Sequence, residues 1–423
     1  MIDASIWETL PGFSTLSQSD QSFIKEAAQR LRLSQQNVRK ICEAAVDLTL
    51  WEEPSISQLW DESGTERLTG KTRSSKIVSR FLEAVIALRE KITTYEDFIP
   101  PVFSERKDIV VEPISSDQKL MGRCPVAGEK TRCCNLETLD AVKQCGFGCS
   151  YCSIQSFYDQ DRVYFHQDLA GSLSRLELDP EEIYHIGTGQ SSDSLMWGDR
   201  DNLLTDLFAF ATAHPNVILE LKTKAARTDW LSVEPLPSNV IATWSLNTPA
   251  IIEAEEHLTA TLEARLQAAR AAADKNLLVG FHFHPMIWYD RWEEDYLTVI
   301  SRVQELFSPE EVAMISLGTL TFIKPVIKQL REAGRKTRVT EIPLIDAAGK
   351  SSYPLEIKER LFKTAYESFS PQWRESVFFY LCMEDPSLWE PVFGHSYKDN
   401  ESFEQAMKQS YMNKINSRRF ELA

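Results

Sequence analysis

Basic residues are the scarcer charge in this 423-residue chain: 46 Lys and Arg stand against 62 Asp and Glu, a formal net charge of −16. A surface of that sign repels phosphate backbones at long range, so a protein built chiefly to coat nucleic acid is disfavoured. Long hydrophobic runs are missing as well. The longest apolar-leaning stretch, Asn276 to Tyr289, contains His282, His284 and Pro285 and falls short of the ~18 residues a membrane span requires. The start, Met-Ile-Asp-Ala-Ser-Ile-Trp-Glu, lacks a basic segment leading into an apolar one, so no secretory or membrane signal is expected and the cytoplasm is the expected location. Glycine (16) and proline (19) are few and without period, which excludes a collagen-like or linker-dominated chain. Hydrophobic residues at 43% and charged residues at 26% are ordinary globular values and exclude a largely disordered one. The length suits two or three domains, or one large α/β unit with an appendage.

Residues 1–100 read as a small helical domain. Ser19-Asp20 is placed to cap a run in which Phe23, Ile24, Ala27, Ala28 and Leu31 share a face. Val38, Ile41, Cys42, Ala45 and Leu48 repeat the pattern, as do Ile77, Phe81, Val85 and Leu88. The basic stretch Arg67, Lys71, Arg73, Lys76, Arg80 fits a solvated helix face. Ile99-Pro100-Pro101 and the polar Glu112–Gln118 segment mark a boundary, with 101–120 as linker. Beyond it β-rich runs alternate with helical ones. The strands are expected at Glu182–Gly189, Val217–Lys224, Val240–Asn247, Leu277–His284, Ala313–Leu317, Arg338–Leu344 and Ser376–Met383. Helices are expected at Glu253–Ala273, Trp292–Phe307, Lys324–Ala333 and Leu355–Ser368. Such alternation with near-continuous apolar strands predicts an α/β fold with a parallel sheet, an open or closed (β/α) barrel over 121–395. A C-terminal helical tail, 396–423, follows.

The chain has eight cysteines, at 42, 124, 133, 134, 145, 149, 152 and 382, and six of them fall between 124 and 152. In a reducing compartment such a cluster points to metal or redox chemistry more than to disulfides. Directly before the first βα unit stands Cys145-Gly-Phe-Gly-Cys149-Ser-Tyr-Cys152, with the spacing C-x3-C-x2-C. Three thiolates on one tight loop can hold three irons of a [4Fe–4S] cluster and leave the fourth without a protein ligand. Gly146 and Gly148 would let the backbone wrap closely around it. A zinc site completed by Cys124, Cys133 or Cys134 is the rival reading.

That spacing, Tyr151 before the last cysteine and the following β/α pattern resemble the radical S-adenosylmethionine (SAM) superfamily, and within it the spore photoproduct lyase-like proteins. Gly280-Phe-His-Phe-His-Pro285, Trp292-Glu-Glu-Asp-Tyr296 and Phe322-Ile-Lys-Pro325 resemble family segments in the same order, as do Thr223-Lys224 and Ser245-Leu-Asn247. The resemblance runs from about Cys145 to Glu384 and implies a partial (β/α) barrel of radical SAM type. It implies a [4Fe–4S] cluster on Cys145, Cys149 and Cys152, and SAM bound at its open iron. A flavodoxin- or ferredoxin-like protein would supply one electron; SAM would then split to methionine and a 5′-deoxyadenosyl radical that takes hydrogen from substrate. Gly187, Gly189, Gln190, Ser191, Lys224, Ser245 and Asn247 fall on positions implied to bind SAM, with Lys224 available to its carboxylate and Tyr151 beside the cluster.

Three features depart from the family pattern. The lyase's hydrogen-donor cysteine falls at Gln190, and an amide cannot return a hydrogen atom. Ser153 replaces the second of two tyrosines flanking the last cluster cysteine. The basic, aromatic hairpin falls at Ile342–Tyr353, which holds one lysine and one aromatic, a poor platform for stacked bases. These losses count against thymine-dimer repair by the lyase route, and the substrate stays open; DNA photoproduct repair with a cysteine of the 124–134 loop as surrogate donor is the second reading, and a non-catalytic zinc or Fe–S binding protein the third. Cys124, Cys133 and Cys134 could hold a second cluster with Cys382, could supply a quenching thiol, with Cys134 as candidate, or could be ordinary buried thiols. His282 and His284 alternate on one strand face, where His284 is a catalytic candidate and core packing is the alternative. Asp193 and Tyr289 are further candidates at the barrel mouth. Trp197, Trp244, Trp288 and Trp292 could stack on a planar substrate or simply pack.

Overall fold

Apolar residues three and four apart bury together in the N-terminal helices of this computed structural model, which describes residues 6–103, 109–124, 131–159, 161–189, 191–347 and 349–422. Helix α1 (Gln18–Arg30) is capped by Ser17, whose hydroxyl accepts the Asp20 N–H, slightly ahead of the expected cap. Helix α2 (Gln35–Trp51) buries Val38, Ile41, Cys42, Ala45 and Leu48, and α3 (Gly70–Arg89) buries Ile77, Phe81 and Val85. Most of these side chains form a core of their own. Arg73 and Arg80 pair with Glu62 and Asp61 on the surface, as a solvated face would. The helices dock on the rest of the chain through polar contacts. Arg331 grips Asp47 with two bonds of 2.8 Å, and Trp51 Nε1 donates to Thr340 Oγ1 at 2.9 Å.

The second core surrounds a sheet that, among the described residues, has eight strands: β1 (Met121–Arg123), β2 (Glu137–Leu139), β3 (Tyr184–Thr188), β4 (Val217–Thr223), β5 (Val240–Ser245), β6 (Leu278–Met286), β7 (Val312–Thr319) and β8 (Phe378–Leu381). Each strand pairs with the next in sequence order, β2 through β8 in parallel and β1 antiparallel to β2. The sheet curls into a half-barrel. An isolated bridge between Arg132, in the β1–β2 loop, and Glu384, just past β8, joins its two ends. Outward residues such as Leu219, Leu221, Trp244, Phe281, Phe283 and Leu317 bury against helices. The alternate, inward positions carry polar groups: His185, Glu220, Lys222, Ser245, His282 and His284. Among the described residues no helix is long and apolar enough to cross a membrane.

Four expectations change. The 101–120 linker contains a strand, Val110–Ile114, parallel to Arg162–His166 in a small second sheet. Arg338–Leu344 is a turn, because the Thr337 hydroxyl and the Arg338 N–H both donate to Glu255 and stop the chain from extending. The expected helix at 253–273 breaks in two, α4 (Pro249–Glu255) and α5 (Leu262–Asp274), with Leu258 in the left-handed region at φ 64° and Thr261 capping the second piece. Finally, the C-terminal tail is part of the barrel. Helix α6 (Asn400–Leu422) buries Phe403, Met407, Tyr411 and Ile415 in the same core as the sheet.

Candidate active site around the cysteine loop

Inside the curl, toward the C-terminal ends of the strands, lies a cavity of about 1950 Å³. Typical ligand pockets are ~300–1,000 Å³, so there is room for more than one small molecule. Cys145, Cys149 and Cys152 all line it, together with Gly189, Lys224, Ser245 and His284. All three thiols are free and partly exposed.

The loop is held from three sides. The Gln144 N–H donates to the Ser191 carbonyl at 2.8 Å, and the Ser192 hydroxyl to the Gln144 carbonyl at 2.7 Å. Gly148 N–H donates to His257 and Ser150 N–H to Glu255, at 3.0 and 2.9 Å, both acceptors lying at the helix break. Gln155 Nε2 donates to the Ser150 and Cys152 carbonyls at 3.0 Å each. Gly148 sits at a close approach: a Cβ there would stand 3.1 Å from the Phe103 ring, which stacks on His257 and would have to give. Gly189 has φ 79°, and a Cβ would press to 2.9 Å on the Lys222 carbonyl.

Beneath the loop is a buried relay of charged and polar groups. Lys224 Nζ donates to the Tyr151 hydroxyl at 3.0 Å and lies over its ring. Tyr151 donates in turn to Glu256. Arg265 reaches Glu256 at 2.5 Å and the Ser245 carbonyl at 2.8 Å. Burial opposes the Glu256 carboxylate, but Arg265 and Lys224 outweigh it and hold its pKa below the ordinary value. Glu256 and Arg265 carry no strand motif and sat inside an expected continuous helix, so only the break brings them here.

Of the expected SAM-binding residues, Gly189, Lys224 and Ser245 line the cavity. Gly187, Ser191 and Asn247 are not on its wall. Gly187 is buried within β3, and Ser191 turns its hydroxyl to Asp140 at 2.7 Å. Asn247 is fully buried, donating to the Pro285 carbonyl at 3.0 Å and accepting from the Tyr296 hydroxyl at 2.8 Å. Gln190 lies outside the described residues. Tyr151, Cys134 and His284 all line the cavity. Asp193 also lines it, but its carboxylate is committed to Thr223, the Lys224 N–H and two further backbone donors, which fix the end of β4. Tyr289 is spent on Thr248 and Asp295, and none of the four tryptophans reaches the cavity.

Deeper in the barrel Glu220 accepts from His185 Nε2 and His282 Nε2, each at 2.8 Å, and from Thr243 at 2.9 Å. Burial pushes His282 down to about 4, so it is neutral at pH 7 and donates from Nε2. His284 bonds Ser316 at 2.8 Å, with burial holding it well below the ordinary range. Sequence pattern exposed His282 and His284; Glu220, which joins His282 to His185, shows only in space.

The loop's chemistry fits an iron–sulfur cluster. Burial raises the Cys149 thiol to about 12, and the Lys224 cation opposes that rise. Lys224 also lies near Cys152 and Arg265 near Cys149, while Glu256 and Asp193 place negative charge beside Cys149 and Cys145. Among the described residues no three His, Cys, Asp or Glu side chains converge on a single ion. A cubane takes one thiolate per iron and suits ligands that stand apart.

The family model for spore photoproduct lyase matches residues 145–340. The chain is 28% identical over 69 residues to the spore photoproduct lyase of Clostridium acetobutylicum, covering 16% of this chain and 20% of that protein. It is 23% identical over 198 residues to that of a Geobacillus species, covering 45% of this chain and 58% of that protein. The chain thus spans less than two thirds of either relative's length. Among solved structures it resembles a spore photoproduct lyase complexed with dinucleoside spore photoproduct, at TM-score 0.50 and 20% identity over 58% of this chain and 76% of that one. A double mutant with bound AdoMet and the same dinucleoside matches at TM-score 0.52 and 18% identity, over 69% and 88%. At these identities the likeness is one of fold.

Proposed function

Because residues 145–340 match the family model for spore photoproduct lyase, we propose that this chain is a radical SAM enzyme of the spore photoproduct lyase-like group that takes hydrogen from an organic substrate held inside the half-barrel. One observation carries the reading: three free thiols in C-x3-C-x2-C order share a cavity wall with Lys224, above a buried Tyr151–Glu256–Arg265 relay. Cys145, Cys149 and Cys152 would hold a [4Fe–4S] cluster. When bound, cluster and SAM together supply a 5′-deoxyadenosyl radical on one-electron reduction.

The protein's own residues do the rest. Lys224 offers its remaining N–H bonds to the SAM carboxylate, and Gly189 and Ser245 border the same space. Tyr151 positions Lys224 and ties the thiol loop to Glu256. Asn247 supports from behind by bonding Pro285 and Glu256. His284 faces the substrate as a neutral ring fixed by Ser316. Eight cysteines with no disulfide among them suit a reducing compartment, and we infer a cytoplasmic protein with a flavodoxin- or ferredoxin-like donor.

A dinucleoside spore photoproduct is bound in the similar solved structures, but the hairpin at the mouth offers little to DNA here. Its strands, Ile345–Ala347 and Lys350–Ser352, carry one lysine and one aspartate. Tyr353 is buried against the Trp288 N–H. The test is anaerobic reconstitution with iron and sulfide, then SAM and a low-potential reductant. Release of 5′-deoxyadenosine is expected; a protein that takes up only zinc and leaves SAM intact overturns the reading.

A further inference from the structure

Four cysteines outside the loop meet on another part of the same cavity wall: Cys124, Cys133, Cys134 and Cys382 all line it, and none forms a disulfide. They come from three segments that the backbone draws together. Cys124 continues β1, its N–H donating to the Leu136 carbonyl at 3.0 Å. The segment bearing Cys133 and Cys134 is tied across to the far end of the sheet, where the Arg132 N–H donates to the Glu384 carbonyl at 2.9 Å. The Arg132 side chain donates to the Tyr397 carbonyl at 2.7 Å, and Asn400 Oδ1 accepts the Cys133 N–H at 3.2 Å. Cys382 leaves β8 with its N–H on the Leu317 carbonyl at 2.8 Å.

The side chains then face one another. Cys133 and Cys134 are adjacent in the chain and their side chains interact. Cys382 lies within electrostatic reach of Cys124, Cys133 and Cys134. Lys222 lies near Cys382 and Lys350 near Cys133, with the carboxylates Glu384 and Glu404 also close. Four thiols with a large cavity in front make a soft site.

We propose that Cys124, Cys133, Cys134 and Cys382 hold a second [4Fe–4S] cluster, separate from the one assigned to Cys145, Cys149 and Cys152. Soft thiolate sets select zinc or iron–sulfur clusters, and four thiolates are what a closed cubane takes. Zinc draws four sulfurs to one centre at ~2.3 Å, a convergence that no three such side chains among the described residues show. A cubane spreads its ligands over four corners and accepts the wider spacing. Cys134 is thereby reassigned from hydrogen donor to ligand.

The experiment is anaerobic reconstitution of the full chain with iron and sulfide, with both counted. The wild-type protein is expected to take up about eight irons, two cubanes of four. The triple variant Cys145→Ala, Cys149→Ala, Cys152→Ala is expected to stay brown with about four irons, because its second site is intact. The double variant Cys134→Ser, Cys382→Ser should lose that share and keep a cluster whose paramagnetic resonance signal changes on adding SAM. A wild-type protein with about four irons that the triple variant loses entirely overturns the proposal and leaves the SAM-cluster reading standing. Zinc in the triple variant in place of iron also overturns it. About four irons in both wild type and triple variant would support the second site and sink the loop assignment. The triple variant decides even if the double variant fails to fold.

Discussion

The Lys224 ammonium donates to the Tyr151 hydroxyl at 3.0 Å, joining the end of β4 to the residue just before the last cysteine of the thiol loop. Tyr151 passes the connection to Glu256, and Arg265 closes it at 2.5 Å. The expected SAM-carboxylate contact and the metal loop therefore share one buried support.

Cys149→Ala is expected to remove about four irons per chain and all 5′-deoxyadenosine release together, since a cubane cannot rest on the two remaining thiolates. Iron analysis beside chromatography of the nucleoside checks it. Retained cleavage in the variant would place the cluster elsewhere.

Lys224→Ala should leave the iron content unchanged and weaken SAM binding roughly tenfold or more. A hydrogen bond to a charged group contributes ~1.5–3 kcal/mol, and 1.4 kcal/mol is about tenfold in affinity. Equilibrium titration of reconstituted protein measures it. Unaltered affinity would remove Lys224 from the carboxylate contact.

Arg265→Ala leaves Glu256 buried beside fewer positive partners, so a stability loss of ~3–5 kcal/mol is expected from urea unfolding. Adding Glu256→Gln removes the stranded charge and should recover part of the loss. Two variants that simply add would mean that Arg265 acts through packing alone.

Glu341, where the N-terminal helices meet the barrel, is pushed up to about 7 by burial, with Arg338 opposing and Glu53 reinforcing. A carboxyl raised by folding stabilises below its unfolded value and loses that contribution as pH rises through the folded one. Glu341→Gln should therefore gain in Tm relative to wild type as pH goes from about 4.5 to about 7, then level off. A difference that is flat with pH would contradict this.

Binding to ultraviolet-damaged duplex DNA should be weak at physiological salt and lack a steep salt slope. At the mouth Lys328, Arg335 and Lys350 are offset by Glu332, Asp346 and Asp385, and few phosphates can be neutralised. Tight binding that falls steeply with salt would restore DNA as substrate.

The sequence by itself determined most of the strand–helix order and the thiol loop, because both are local. Period-two and period-3.6 patterns fix which faces are apolar, and C-x3-C-x2-C is contiguous. It also marked Lys224 and the His282–His284 alternation at strand positions that the fold turns inward. Only the tertiary structure decided the rest. The break that delivers Glu256 arises where Glu255 and His257 are recruited as carbonyl acceptors for the thiol loop and Glu255 also anchors Thr337 and Arg338, contacts that helix periodicity cannot register. Ser191 and Asn247 stood at the right places in the chain, yet Asp140, Pro285 and Tyr296 claim their polar groups. Cys382 meets Cys133 and Cys134 because the curl of the sheet, tied by Arg132 to Glu384, brings its two ends together. Closure over such a sequence distance is set by strand twist and packing summed across the whole sheet, which no local pattern encodes.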